Sequence, residues 1–473
     1  MYTRRELVRA LGAIPALRVG AQAQLQPEFL AKISHRLLGR TGRWVTPLGL
    51  GGQASLQWTG KGIDPQDIIV RAVELGINYL DSANAYGSSQ ANYGGALYRM
   101  KATPSHSEYD AALRERLYIA SKTGQRYALN RAQPNAATAI TELRRSLTTM
   151  FGDGLGWIPD GAYLDAMQIH NVSSDQQVDQ IFEGMDDRVN ARKRDRIGVL
   201  AGLLDFRDGT NYTGLNPEHR HWIRHIGITG HQSSTVLMRA LRMDEGNALD
   251  TVLVALNAND RKYCSHQNNV IPLAVAKGMG VIAMKAFADG VFYGKPARFS
   301  NTANDVVLTS GRPGSVEPAD LVRYPVSIPG VGVLITGIGM IDRENPANDQ
   351  IVTNFNAVLA GVASDADRRA IEDAVADRHG VETNYFQDRR GLTQPPEPKV
   401  ERDADQLTVK WTTAYAGPDP IRSYQIYSGD RMALTVPFRP QTTLAPLSVT
   451  LPASEAGEGP FRVLASTEWP RDF

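Results

Sequence analysis

GINYLDSANAYGSSQANYGGALYR, residues 76–99, starts as a short apolar run and turns into a string of small polar residues. The run stops at Asp81, and Tyr86 follows just ahead of Gly87. A buried strand has no use for a carboxylate at its end, so Asp81 either opens a helix or belongs to a site. Taken alone, the pair supports a helix cap and a surface ring about as well as it supports chemistry. The rest of the chain has to decide.

Between Val45 and about Leu359, short apolar runs alternate with amphipathic stretches, the pattern of repeated βα units and a parallel sheet. Eight strands are expected: PLGLG (47–51), INYLD (77–81), LYIASK (117–122), LDAMQIH (164–170), RHIGIT (224–229), TVLVALN (251–257), GVIAMK (280–285) and GVLITG (332–337). Each is followed by helix-compatible sequence, so the expected fold is a closed (β/α)8 TIM barrel. Among the helices, Pro65–Leu75 follows Asp64, an N-cap with Pro at the first helical position. Ala136–Met150 and Ile271–Ala276 read similarly, the latter ending at Gly278. Residues 100–116, 151–161, 200–221 and 286–330 read as long loops, and loops of that length are usually functional or disordered.

At LTQPPEPKV (392–400) the composition shifts. Beyond it lie LTVKW (407–411), IRSYQIY (421–427), MALTV (432–436), LSVTL (447–451) and FRVLAS (461–466), separated by turn-rich spacers. These predict a small all-β sandwich. Trp411, the SYQIY strand and FRVLAS resemble a fibronectin type III domain, which implies a spacer or a binder of a carbohydrate or protein partner. The expected division is an export signal-like segment (1–24), a barrel (25–390), a Pro-rich linker (391–397) and a sandwich (398–473).

A net charge of +1 with 21% charged residues argues against nucleic acid or an anionic membrane surface as the main partner. Cys264 is the only cysteine, so no intrachain disulfide, iron–sulfur cluster or cysteine-based zinc site can form. At the N-terminus, Arg4 and Arg5 precede an apolar run, Leu7–Leu17, and then Ala21-Gln22-Ala23. This resembles a twin-arginine export signal and implies a periplasmic or extracellular location. The other reading is a basic amphipathic helix in a cytoplasmic protein. Arg9 and Pro15 interrupt the run, which is too short to span a bilayer.

In a parallel barrel the site lies at the carboxyl ends of the strands. Those ends carry Asp81 with Tyr86, Lys122 and His170, from three consecutive expected strands. Each has a bland alternative: a helix cap, a surface ring, a solvated lysine, a core histidine. Together they suit one chemistry. An ammonium beside a phenol stabilises phenolate, a carboxylate holds the lysine charged and oriented, and the phenol can then exchange a proton with a carbonyl or alcohol oxygen. His170 adds a second donor. No side chain supplies hydride, so a nicotinamide cofactor is implied.

Residues 45–360 resemble the aldo-keto reductases. The matching pieces are PLGLGG (47–52), LDSANAYG (80–87), ASKTG (120–124), DAMQIHN (165–171), RHIGITGH (224–231), GMGVIAMKAFADG (278–290) and VLITGIGMIDRENPANDQI (333–351). The resemblance implies a catalytic tetrad of Asp81, Tyr86, Lys122 and His170. It also implies cofactor contacts at Gly52, Thr229, Gly230, Met284, Lys285, Gly339, Arg343 and Gln350. Some positions depart from the family pattern. Thr229-Gly230 stands for Ser-Asn and Leu253 for Gln, which weakens the carboxamide contacts, while Met284 stands for a stacking aromatic and can still pack on the ring, and Ala286 stands for Pro. Lys285 is expected at the pyrophosphate and Gln350 at the adenine. Around the ribose, Arg343 favours a 2′-phosphate while Asp342 and Glu344 favour a free hydroxyl. The expected coenzyme is NADP(H), with NAD(H) as the alternative.

The expected activity is therefore interconversion of a small carbonyl or sugar substrate and an alcohol. A nucleotide-binding or regulatory module with little turnover is the rival. A hydrolase lacks a Gly-x-Ser-x-Gly elbow, and a metal hydrolase would need more clustered ligands.

Overall fold

The computed structural model describes residues 34–58, 62–124, 135–308, 310–388 and 391–469. The arginine pair Arg4-Arg5 lies outside them. The described chain begins with a short antiparallel hairpin, β1 (Arg36–Leu37) and β2 (Trp44–Val45). Its turn lays Leu38 against Gly280 and Gly332, so close that a Cβ on Gly280 would come within 2.7 Å of the leucine side chain.

Eight parallel strands follow: β3 (Leu48–Gly51), β4 (Tyr79–Asp81), β5 (Tyr118–Thr123), β6 (Leu164–Ile169), β7 (Ile223–Gly230), β8 (Thr251–Ala255), β9 (Gly280–Met284) and β10 (Val331–Thr336). Neighbours pair in chain order and β10 returns to β3, closing the barrel. The barrel expected from the alternating pattern is thus present, and all eight expected strands occupy it. Leu38 and Val45 of the hairpin plug the floor, where β9 and β10 begin.

Alternation along each strand sends one set of side chains inward and the other against the helices. Inward are Tyr79, Tyr118, Ala120, Ala166, Leu253, Ile282, Met284 and Val333. The larger outer core holds residues such as Leu80, Ile119, Met167, Val252 and Leu334 against the surrounding helices. Register then places the polar strand ends together, because Asp81 is paired with Ala120 and Lys122 with Gln168.

The helix Pro65–Glu74 begins as expected, with the Asp64 carboxylate accepting from Gln66 N. The expected loop 200–221 is a correction: Val199–Asp208 is helical there. Its first eight residues, VLAGLLDF, are buried on every side, so no amphipathic period marks them. Shorter helices also occupy parts of two other expected loops, Ala111–Arg116 and Pro318–Val326.

The C-terminal region forms two three-stranded antiparallel sheets. One contains β11 (Lys399–Asp403), β12 (Gln406–Trp411) and β15 (Leu447–Pro452), and the other β13 (Ser423–Ser428), β14 (Arg431–Pro437) and β16 (Phe461–Ser466). Trp411, Tyr424, Ile426 and Val463 fill the core between them, as a sandwich requires. β11 had no counterpart among the expected strands, because KVERD is an almost wholly solvated edge without alternation.

This sandwich is fastened to the barrel. Asn269 donates to Ala416 O at 2.9 Å and accepts from Ala416 N at 2.8 Å. Arg261 and Arg369 both reach Asp419, and Asn268 donates to the Gly417 and Pro418 carbonyls. The Pro-rich stretch is tied down too, through Thr393 to Tyr415 and Gln394 to Ala465. Among the described residues no helix is long and apolar enough to cross a membrane.

Asn269→Ala leaves the Ala416 amide and carbonyl without their buried partner, a loss of about 1–3 kcal/mol of docking free energy. Limited proteolysis between residues 388 and 399 is expected to run at least about 5-fold faster in this variant. An unchanged cleavage rate would show that the sandwich is held by other contacts.

Candidate active site

Four residues converge inside the barrel mouth. Lys122 Nζ donates to Asp81 Oδ1 and, at 3.0 Å, to Ser82 O. Both side chains of the pair are buried, with Lys122 at 0% and Asp81 at 1% exposure. The ammonium lies 4.8 Å from the centre of the Tyr86 ring. Tyr86 Oη is 3.4 Å from His170 Nε2, and the two rings meet edge to face at 5.6 Å between centres. Burial pushes the Asp81 carboxyl up and the Lys122 ammonium down, while their mutual contact opposes both shifts.

Local sequence explains the placement. After β4 the chain turns at Ala83–Tyr86, where Tyr86 N donates to Ala83 O, and then enters the helix Ser89–Arg99. Asn84 pins that turn to β5: its backbone N–H and its Nδ2 both donate to Lys122 O. Gly52 must stay bare, because a Cβ there would come within 2.4 Å of Asp81 O and 2.6 Å of Ser89 Oγ. His170 directly follows β6, and the next residue, Asn171, adopts the left-handed conformation at φ 53°.

A cleft with about 1040 Å³ of non-protein space, its open mouth included, runs outward from Asp81 and Tyr86. Met284 and Ile335 form apolar wall, Gly51, Gly52 and Gly337 leave backbone bare, and the cleft ends near Gln350 and Asn354. The segment around Asp305–Val307 forms its far side. Among the described residues lining it, Lys285 is the one cation. It is bonded to Asp289 and, at 3.1 Å, to Gln53 Oε1. Lys295 also binds Asp289, at 3.0 Å, and Tyr385 donates to it at 2.8 Å. Burial alone would raise the Asp289 carboxyl, yet the two lysines and the phenol hold it down at about 2. Lys285, Ala288 and Asp289 all have left-handed backbone, with φ 65°, 48° and 59°. Lysine and alanine rarely adopt that region, so this wall is held in shape by its contacts.

The expected cofactor positions divide. Gly52, Met284, Lys285 and Gln350 line the cleft. Gln350 Oε1 accepts from Gly339 N at 2.7 Å, so Gly339 shapes the cleft's end through its backbone. Thr229 and Gly230 are not among the lining residues. Thr229 Oγ1 accepts from Asn171 N at 2.6 Å, and a Cβ on Gly230 would meet Leu237. Arg343 is diverted as well, forming an exposed ion pair with Glu74 at 2.6 Å. The bare glycine backbone and Met284 beside Tyr86 are what the nicotinamide end of a dinucleotide would need of this wall. The cation expected at its 2′-phosphate is engaged elsewhere. Among the described residues there is no group of three or more ligating side chains that could hold a metal ion.

Two features escape the strand pattern. Gln168, fully buried on β6, donates to Asp81 Oδ2 at 2.9 Å. It stands two residues before His170 and so shares its strand face, the one signal the sequence offers. The other is a roof. Thr383–Asp388 crosses back over the mouth, with Asn384 accepting from Asn257 at 2.7 Å and Phe386 packed among the barrel's inward residues. Phe299, Tyr385, Phe386 and His231 form a chain of edge-to-face rings there. No periodicity announces an irregular segment that follows the last barrel helix.

Comparison with known proteins adds a match to the model of the Aldo/keto reductase family over residues 47–199, the part of the chain that carries Asp81, Tyr86, Lys122 and His170. Among solved structures, the chain is similar to a candidate aldo-keto reductase from Pseudomonas aeruginosa, at 23% identity and a TM-score of 0.43, covering 68% of this chain and 96% of that one. It is also similar to an aldo-keto reductase from Klebsiella pneumoniae in complex with NADPH, at 16% identity and a TM-score of 0.42, covering 73% and 95%. A third is a Bombyx mori aldo-keto reductase in complex with NADP, at 16% and 0.45, covering 72% and 93%. The barrel is aldo-keto-reductase-like, and a smaller β-sheet region follows it.

The depressed Asp289 carboxyl has a stability consequence. Its ordinary value is 3.8 and its folded value about 2, so the contact contributes about 2 kcal/mol above pH 4 and fades as pH falls toward 2. Asp289→Asn is expected to lower the thermal midpoint at pH 7 by roughly 4 °C. The gap to the parent should narrow between pH 4 and pH 2, and a constant gap would contradict the assignment.

Proposed function

We propose that this protein is an NAD(P)H-dependent oxidoreductase of aldo-keto reductase type, interconverting a small carbonyl compound and an alcohol with Tyr86 as general acid and base. One observation carries the reading: a buried Lys122–Asp81 ion pair sits against the Tyr86 ring while the phenol oxygen faces His170 Nε2 at 3.4 Å. Among the described residues, the buried Arg114–Asp165 pair has no such phenol facing a second donor beside it.

In the reductive direction, a carbonyl oxygen seated between Tyr86 Oη and His170 Nε2 takes hydrogen bonds from both. His170 polarises the carbonyl, and Tyr86 delivers the proton to the oxygen as negative charge develops there. Lys122 stabilises the charge left on the phenol oxygen, and Asp81 keeps the ammonium in place. The bound nicotinamide supplies hydride, which no side chain here can do. Met284 and the glycine backbone at Gly51 and Gly52 would hold its ring, Lys285 its pyrophosphate, and Gln350 and Asn354 its far end. NADP(H) is the first coenzyme to test, and the pairing of Arg343 with Glu74 makes NAD(H) the second. The ring cluster of Phe299, Tyr385 and Phe386 supports a substrate with an apolar or ring-shaped face.

The rival reading, a nucleotide-binding module with little turnover, draws on Thr229, Gly230 and Leu253, which offer no matched set of amide contacts to a carboxamide. Titration with NADPH and NADH, followed by turnover on a panel of aldehydes and sugars, separates the two. Tyr86→Phe is expected to lose at least about 100-fold in turnover while nucleotide binding changes less than about 3-fold. Unchanged turnover in Tyr86→Phe would remove the tyrosine from the mechanism, and tight binding without turnover in the parent would favour the rival.

A further inference from the structure

Gln168 occupies a place where amides are rare. It lies on the inner face of β6, fully buried, in register with Lys122 of β5. Its partner fixes how the amide is turned: a carboxylate oxygen only accepts, so the atom facing Asp81 Oδ2 at 2.9 Å is the N–H donor. Asp81 is thereby gripped from two sides, with Lys122 on Oδ1 and Gln168 on Oδ2. Two donors on two oxygens leave the carboxylate one orientation about its terminal torsion. With Lys122 alone it could swing, and the ammonium would follow it away from Tyr86.

The room for this amide comes from β7. Gly227 lies alongside, and a Cβ on it would stand 2.4 Å from Thr251 Oγ1 and 2.9 Å from Gln168 Cγ. The bare backbone at Gly227 is therefore a condition of having a long polar side chain here. Charge balance also matters, since the neutral amide adds a donor without a second charge beside a matched ion pair.

We propose that Gln168 is a positioning residue for the reaction: its amide N–H fixes the Asp81 carboxylate so that Lys122 stays aimed at Tyr86. This rests on the reading of Tyr86 as the proton donor. Gln168 touches neither phenol nor substrate and acts only through Asp81 and Lys122. Loss of the N–H leaves a buried carboxylate oxygen without its donor, which favours the protonated form of Asp81. Lys122 then loses its counter-charge at a higher pH than in the parent.

The test compares Gln168→Met, Gln168→Glu and Tyr86→Phe, each as the full chain with NADPH and the best carbonyl compound from the panel. Gln168→Met keeps the volume and removes the donor. Its kcat is expected to fall about 10- to 100-fold, the equilibrium worth of one hydrogen bond to a buried charge. KM and nucleotide affinity should stay within about 3-fold, and the acid limb of the pH–rate profile should move to higher pH. Gln168→Glu is isosteric and covers the case in which the methionine variant does not fold. Its ionised carboxylate repels Asp81, so kcat at neutral pH should fall further and recover on acidification, when the protonated carboxyl can donate again. A parental kcat and pH profile in both Gln168 variants, beside an inactive Tyr86→Phe, overturns the proposal and leaves the tyrosine reading standing. A lower thermal midpoint with an unmoved acid limb also overturns it, since that is the mark of a packing role. An active Tyr86→Phe instead removes the reading on which the proposal rests.

Discussion

A lysine and an aspartate held together without water, inside the mouth of a β-barrel, set the terms for everything around them. Removing both charges from water is costly, and their attraction offsets that cost only if the geometry is kept and the remaining polar atoms find partners. Lys122 has the Ser82 carbonyl besides Asp81, and Asp81 has Gln168. Taking away one member of such a pair strands the other, at about 3–5 kcal/mol. The barrel's register supplies the proximity: β4 and β5 pair Asp81 with Ala120, and Lys122 stands two residues further along the same inner face. The turn that brings Tyr86 over the ammonium is fixed in turn by Asn84, which bonds back to the Lys122 carbonyl. The phenol, the cation and the carboxylate are therefore one mechanical unit, with His170 arriving from the adjacent strand β6.

The outer parts of the mouth are organised by a different device. Asp289 gathers Lys285, Lys295 and Tyr385, and so joins the wall after β9 to the roof segment that follows the last barrel helix. On its other side the roof is bonded to the loop after β8, where Asn257 holds Asn384 and Asp260 accepts from Gln387 at 2.8 Å. The same loop carries Arg261, Asn268 and Asn269, the residues that dock the C-terminal sandwich. One polar loop thus serves both the roof over the site and the seat of the second unit.

Much of this was legible in the sequence, for identifiable reasons. The eight strands could be found because each is a short apolar run between turn signals, and the inner group because a carboxylate, a lysine and a histidine end three consecutive strands on one rim. The helix Val199–Asp208 was hidden because it is buried all round, so its apolar residues lack a period. The roof was hidden because its position depends on long-range bonds with Asn257, Tyr263 and Asp260, not on any local pattern. Arg343 illustrates a third limit. Its charge is visible in the sequence, but its partner Glu74 is far along the chain. Gln168 lies between these cases, since its strand face follows from alternation but its donor role needs the carboxylate's position.

The central claim is that Lys122 acts through Tyr86 and not beside it, and a double-mutant cycle on turnover addresses this most directly. Lys122→Met, Tyr86→Phe and the double variant are compared with the parent by kcat with NADPH and one carbonyl compound. The account predicts that the double variant is no slower than the slower single, because both substitutions remove the same assisted proton transfer. Losses that multiply would contradict it, assigning the lysine and the phenol to separate tasks.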